Sequence, residues 1–306
     1  MKPTVQFSIP FGKSLETALA GRYTIVTDPA VRKGVDAIIT VGSLKTDGAM
    51  MDEMPDLKII CAFGSGHEGI DVAAAKARGI AVTNTVGSNA AAVADLAVAL
   101  LLASVRHVAT GDALVRAGGW HGTVAGKLLS SRGITGRRVG IVGLGAIGRK
   151  IAGRLAAFET EIGYHNRHPR ADAPWRYFDS LAALAEWADA LMLAHRADDT
   201  NRHMIGADIF RLLGSDGHVV NITRGSAIDE DALIDALKAG TIAGAGLDVF
   251  EGEPNVRADL RALPNVVLTP HVGGGTRESL RAMAVAVVAN LDAFFAGEPL
   301  PSPVTA

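Results

Sequence analysis

The chain has almost no cysteine: Cys61 stands alone among 306 residues. An intrachain disulfide is therefore impossible, and a Cys-based zinc site is excluded. It also lacks an excess of charge of either sign. The 30 basic and 32 acidic residues leave a net charge of −2, which offers nothing to attract nucleic acid or an anionic membrane. The opening Met1-Lys2-Pro3-Thr4 leads into an alternating stretch rather than the apolar core of a signal peptide. Long hydrophobic runs are missing too. The longest, Ala90–Val105, falls about one turn short of a membrane span and contains Asp95, so it reads as a buried helix. Internal repeats with periods of about 20–50 residues are absent, as are low-complexity segments. Together these absences predict a cytoplasmic globular protein.

What is present is ordinary in bulk, with 48% apolar and 20% charged residues. The length suits one large domain or two ordinary ones. The 35 glycines exceed the usual share of about 7%, which points to tight turns and close backbone approaches. Short β-branched runs alternate with Ala-rich stretches of helical period almost from end to end, the pattern of parallel sheets covered by helices. In the first third, strands are predicted at Val5–Ile9, Tyr23–Thr27, Ala37–Thr40, Leu57–Ala62 and Ile80–Thr83, with a helix at Asp71–Arg78. A long apolar helix near Asn89–His107 separates this block from the next. There, strands are predicted at Arg138–Val142, Glu161–His165, Ala190–His195, His218–Thr223, Gly244–Val249 and Val266–Pro270, before a last helix at about Arg277–Phe295. The fold class is α/β, with two doubly wound parallel-sheet, Rossmann-like domains.

Gly143-Leu144-Gly145-Ala146-Ile147-Gly148 fits G-x-G-x-x-G, a weak signal alone in a glycine-rich chain. Its context strengthens it: Val139–Val142 is a buried strand directly before it, and Gly148–Phe158 has helical period directly after. Strand, turn and helix together let backbone N–H groups and the helix N-terminus meet a pyrophosphate. The structural alternative is a tight turn without ligand. Folds that prefer NAD usually place a carboxylate about 20 residues on, at the end of the second strand. Here the strand Glu161–His165 ends instead in Asn166-Arg167-His168-Pro169-Arg170. A neutral Asn166 beside Arg167 and Arg170 suits a 2′-phosphate, which guanidinium groups hold by charge-assisted bonds. NADPH is therefore the expected cofactor, with NADH usable; a solvated basic turn is the alternative.

Three ionisable residues follow successive predicted strands, where open α/β sheets bind ligands. Arg224, Glu253 and His271 are separated by 253 − 224 = 29 and 271 − 253 = 18 residues, each about one βα unit with its loop. Singly, each has a structural reading: a salt-bridge partner, a loop carboxylate before Pro254, a structural imidazole. Together, downstream of a dinucleotide loop, they supply what reduction of a ketone needs. A cation orients a substrate carboxylate and polarises the carbonyl. An imidazole donates a proton to the oxygen, and a carboxylate keeps that imidazole oriented and charged.

At this point the chain resembles the D-isomer-specific 2-hydroxyacid dehydrogenases, most closely their glyoxylate/hydroxypyruvate reductase branch. The resemblance runs from about Leu57 to Pro303. It rests on Gly64-Ser65-Gly66…Gly69-Ile70-Asp71, Val93-Ala94-Asp95-Leu96-Ala97, Arg116-Ala117-Gly118-Gly119-Trp120, Gly143–Gly148, Asn221…Arg224-Gly225, Gly246-Leu247-Asp248-Val249-Phe250…Glu253-Pro254 and Pro270-His271. Residues 1–56 match only loosely.

The resemblance implies Arg224, Glu253 and His271 as the catalytic set, and selects Glu253 over Glu251 because the family carboxylate precedes the proline. It implies backbone N–H groups near Ser65 and Gly66 as holders of the substrate carboxylate, and Asp248 facing the nicotinamide amide. It implies a discontinuous substrate domain of residues 1–98 and 277–306, with the cofactor domain, 99–276, inserted between. A homodimer with Ala90–His107 in its interface is expected, and a small 2-keto acid, glyoxylate or hydroxypyruvate, as substrate; no metal is called for. Val86, His195-Arg196, Gly274-Gly275 and His67 depart from the family pattern and leave substrate choice open. The competing readings are a catalytically idle nicotinamide-sensing module, since fold alone does not fix activity, or a dehydrogenase of another 2-hydroxy acid.

Overall fold

Runs of three to five mostly β-branched or aliphatic residues become strands in the computed structural model, which describes residues 2–122, 128 and 131–305. The first five are β1 (Thr4–Phe7), β2 (Thr24–Val26), β3 (Ala37–Thr40), β4 (Ile59–Ala62) and β5 (Ala81–Thr83). They form one parallel sheet in the order β2-β1-β3-β4-β5. β3 and β4 are buried along their whole length, as expected of strands covered on both faces. On one face the helix Arg277–Ala296 returns to this sheet, setting Ala284, Val287 and Leu291 against Val5, Phe7 and Ile59. That helix has the length and apolarity of a membrane span; Ala284, Val287 and Leu291 are buried in this packing, while Leu280 and Val285 stay exposed. Cys61 lies in the same core, takes a hydrogen bond from the Thr83 hydroxyl at 3.2 Å, and has its thiol pushed up to about 12 by burial.

Seven further strands make the second sheet: β6 (Arg138–Val142), β7 (Glu161–His165), β8 (Arg176–Phe178), β9 (Ala190–Leu193), β10 (His218–Asn221), β11 (Gly244–Leu247) and β12 (Val266–Leu268). Their order is β12-β11-β10-β9-β6-β7-β8, all parallel. The chain enters at β6, builds outward through β7 and β8, then crosses back to start the other half at β9. The carboxyl ends of β6 and β9 are thus a topological switch point, where open sheets of this kind bind ligands. Leu184, Leu191 and Val219 pack on one face, and Ile141, Ile151, Met192 and Val220 on the other.

The chain divides into two compact units, Met1–Asn89 with Gly274–Ala306, and Ala90–Gly273. The expected break at 98/99 would cut the helix Ala90–Val105, a continuous hydrogen-bonded rod. The structure keeps the whole helix with the second unit, where Val93, Ala97 and Leu101 join the core on one face of the seven-stranded sheet. At the far end the units divide at Gly273/Gly274 rather than at 276/277. β8 was not expected: with three residues and only Phe178 buried, this edge strand carries no readable period.

Candidate active site

The glycine-rich turn leaves β6 with Gly143 at φ +97°, a conformation open to glycine. A Cβ on Gly143 would come within 2.5 Å of the His195 backbone, so the turn lies directly against the segment leaving β9. A Cβ on Gly148 would overlap the Gly143 carbonyl, whereas one on Gly145 would meet nothing within 4 Å. The outer side of the turn is therefore open for close approach by a ligand. Gly145 is the N-cap of the helix Ala146–Ala156, whose first N–H groups and positive dipole end face outward from Ala146 and Ile147. The Asn166 side-chain oxygen accepts from the Leu144 N–H at 2.7 Å and fixes the turn from the end of β7.

A cavity of about 700 Å³ opens at this switch point, with Gly143, Gly145, Asn166, Arg167, Arg170 and His195 in its wall. The loop bearing the two arginines is built on Tyr164, whose hydroxyl accepts from the Arg170 N–H at 2.8 Å. Next to the cavity-lining Thr200, Asp198 has its carboxyl held below the usual carboxylate range, chiefly by the Thr200 hydroxyl and further by the charges of Arg167 and Arg196. Open space over the glycines, a free helix end and a basic rim fit a dinucleotide with a phosphate on its ribose.

The three ionisable residues lie on the same sheet. His271 follows β12, and its Nδ1 is 2.7 Å from Glu253 Oε2. The other oxygen of Glu253 accepts from the Phe250 N–H at 2.9 Å, which orients the carboxylate. His271 adopts φ +53°, uncommon for a residue with a side chain. Asp248 holds it there. The Asp248 carbonyl accepts from the His271 N–H at 2.8 Å; its carboxylate accepts from Thr269 Oγ1 at 2.6 Å, Val272 N–H at 2.9 Å and Gly273 N–H at 2.8 Å. Asp248 was expected only as a contact to nicotinamide; the structure also makes it the anchor of the histidine loop.

Arg224 lies three residues beyond the end of β10, one position before the short 3₁₀ turn Gly225–Ala227, and its Nη1 donates to the Thr223 carbonyl at 2.6 Å. Asn221 staples this turn, accepting from the Thr223 N–H at 3.0 Å and donating to the Arg224 carbonyl at 2.8 Å. Gly225 lets the turn abut the glutamate loop, because a Cβ there would overlap the Phe250–Glu251 backbone. Glu251 is engaged elsewhere, with Arg202 at 2.6 Å and His203 Nε2 at 2.7 Å, while its N–H donates to the buried Glu230 at 2.8 Å. Geometry thus separates two glutamates that composition alone could not.

On the first unit, Ser65 and Gly66 lie in the loop after β4. The Asn84 amide donates to the Ser65 carbonyl at 3.0 Å, Ser65 Oγ donates to Asn89 Oδ1 at 3.3 Å, and Gly42 leaves room for the Gly66 carbonyl. Asn221, Thr269 and Glu230 are the supporting residues that sequence reasoning missed. Asn221 was visible within a motif, but nothing in the sequence showed which atoms it bridges.

A dinucleotide turn at a switch point, with a carboxylate-held imidazole at the end of the same sheet, defines a nicotinamide-dependent oxidoreductase. The model for "D-isomer specific 2-hydroxyacid dehydrogenase, NAD binding domain" matches residues 98–273. Glyoxylate/hydroxypyruvate reductase A of Arabidopsis thaliana is 38% identical over 305 residues, 96% of each chain. The 2-ketogluconate reductase of Gluconobacter oxydans is 41% identical over 276 residues, 90% of this chain and 87% of that one. The NADPH-dependent glyoxylate/hydroxypyruvate reductase of Sinorhizobium meliloti, solved with NADP and malonate, superposes with a TM-score of 0.92 at 38% identity, covering 100% of this chain and 97% of that one. The chain belongs to the D-isomer specific 2-hydroxyacid dehydrogenase family, in its glyoxylate/hydroxypyruvate reductase branch.

Proposed function

We propose that this enzyme reduces glyoxylate or hydroxypyruvate to the 2-hydroxy acid, with NADPH preferred over NADH and His271 as the proton donor. The observation that carries this is the 2.7 Å pair between His271 Nδ1 and Glu253 beyond the seven-stranded sheet that bears the dinucleotide turn. With Nδ1 committed to the carboxylate, Nε2 is the nitrogen from which a proton passes to the substrate oxygen. Gly143–Gly148, Arg167 and Arg170 would hold the nicotinamide cofactor, which when bound would supply the hydride. Arg224 pairs with the substrate carboxylate and polarises the carbonyl, favouring the negative charge that builds on its oxygen.

The basic rim at Arg167 and Arg170 supports NADPH, and so does the NADPH dependence of the Sinorhizobium reductase. The relative named for 2-ketogluconate makes that sugar acid the competing substrate. Steady-state kinetics with glyoxylate, hydroxypyruvate, pyruvate and 2-ketogluconate, each with NADPH and NADH, decides among them. A higher kcat/KM for 2-ketogluconate than for either small keto acid refutes the substrate assignment. Arg167→Ser is expected to raise KM for NADPH about tenfold and to leave NADH nearly unchanged, given about 1.5–3 kcal/mol for a charge-assisted bond. Equal losses with both cofactors would make Arg167 structural.

A further inference from the structure

One polar group in the cofactor cavity has no part in the proposed reaction. His195 lies two residues beyond the end of β9. It is half-buried and forms part of the wall of the cavity that includes Gly143 and Asn166. Both ring nitrogens are closed off from solvent, and neither has a hydrogen-bond partner. An unpartnered buried imidazole weakens the fold, and an aliphatic side chain beside neighbours such as Met204 would not. Such a group belongs to a functional site more readily than to a core. Burial pushes its imidazole down to about 4, with Asp198 pulling weakly the other way, so at neutral pH the ring offers one N–H donor and one lone pair.

That chemistry does not suit a phosphate, which wants cations and donors only, and Arg167 and Arg170 already supply charge at the rim. It suits a neutral partner that both gives and accepts a hydrogen bond. Gly143 lets the His195 backbone lie against the phosphate turn, so the residue sits beside the portion of the site that a dinucleotide's adenosine half would enter. Resting on the dinucleotide reading above, we propose that His195 is a recognition residue for that adenosine half. A side-chain rotation brings its ring to the ribose 3′-hydroxyl or to the adenine edge once the cavity is filled. The contact lies in the part common to NADPH and NADH, so His195 sets affinity without choosing between them.

The test is His195→Leu, measured by fluorescence titration with NADPH and with NADH, and by thermal unfolding without cofactor. The expected result is a Tm raised by a few degrees, because an unsatisfied polar group is gone. Kd should rise about three- to tenfold for both cofactors alike. His195→Gln, which restores a donor and an acceptor, should recover part of the affinity and keeps the test open if the leucine variant misfolds. Unchanged Kd values, a loss confined to NADPH, or a glutamine variant no better than leucine overturns the proposal. Failure of the wild-type protein to bind either cofactor would instead overturn the dinucleotide reading on which it rests.

Discussion

Glu251 and Glu253 are two residues apart in one loop, and their partners give them different work. Glu253 holds His271 Nδ1, while Glu251 ties down Arg202 and His203 beside the cavity-lining residues Thr200, Asn201 and Met204. Glu253→Gln removes the negative charge from the imidazole's partner and is expected to lower kcat about tenfold or more, with KM for NADPH little changed. Glu251→Gln loosens the cavity wall and should act on KM for NADPH instead. His271→Ala should lose the roughly 10²–10⁴-fold usually attributed to general acid catalysis while cofactor binding persists. Steady-state kinetics on the three variants checks the division. Control of kcat by Glu251, or near-normal turnover in His271→Ala, would falsify it.

Within the second unit, the helix Ala90–Val105 is pinned to β10 by Ser104 Oγ, 2.9 Å from His218 Nδ1. Burial, with Arg137 and His107 nearby, pushes His218 down to about 3, and His195 is also low, at about 4. Unfolding returns both to about 6.5. Between those values the unfolded chain binds protons that the folded chain refuses. Stability is therefore full above pH 6.5 and is lost as pH falls toward 4, by up to about 1.4 kcal/mol per pH unit for each imidazole. Chemical denaturation from pH 7 to pH 4 should show this slope, and a Ser104→Ala/His218→Leu double variant should reduce it, leaving the part that His195 contributes. An unchanged slope would show that other groups control it. The pH behaviour was not legible in the sequence, because the partner of His218 lies 114 residues away. What was legible followed covalent order: β6, β7 and β3 came out with their predicted ends, and Gly143–Gly145 fell between strand and helix with Ala146–Gly148 in the helix's first turn. β8 escaped because three edge residues carry no period. The roles of Asp248 and Glu251 escaped because they depend on where distant loops land.

At the scale of the molecule, the resemblance implied a homodimer with Ala90–His107 in its interface, and the packing of that helix bears on where such an interface can lie. Ten of the helix's sixteen residues are buried, in packing against β10, β11 and the helix Ala146–Ala156 of its own unit. Its exposed outer side is only Ala91, Asp95 and Ala99, with Asp95 held by Arg154 at 2.6 Å. The uncovered surface lies just beyond. His107, at φ +51°, breaks the chain direction, and Val108–Arg116 leaves at 65° with no buried residue among those described. Val108 is 55% exposed, Val115 56%, and Trp120, shortly after, 61%. A helix with no buried side gains little apolar burial from its own unit, and exposed aliphatic and aromatic side chains on one segment mark a surface for association. The chain is therefore expected to form a homodimer through Val108–Trp120. Sedimentation should give about twice the 31.7 kDa chain mass. Val108→Asp with Val115→Asp places charge where apolar contact is needed and should shift the protein to monomer, while cofactor affinity per chain is kept. A wild-type protein that stays at one chain mass across micromolar concentrations would remove the dimer. A double variant that still dimerises would move its interface away from this helix.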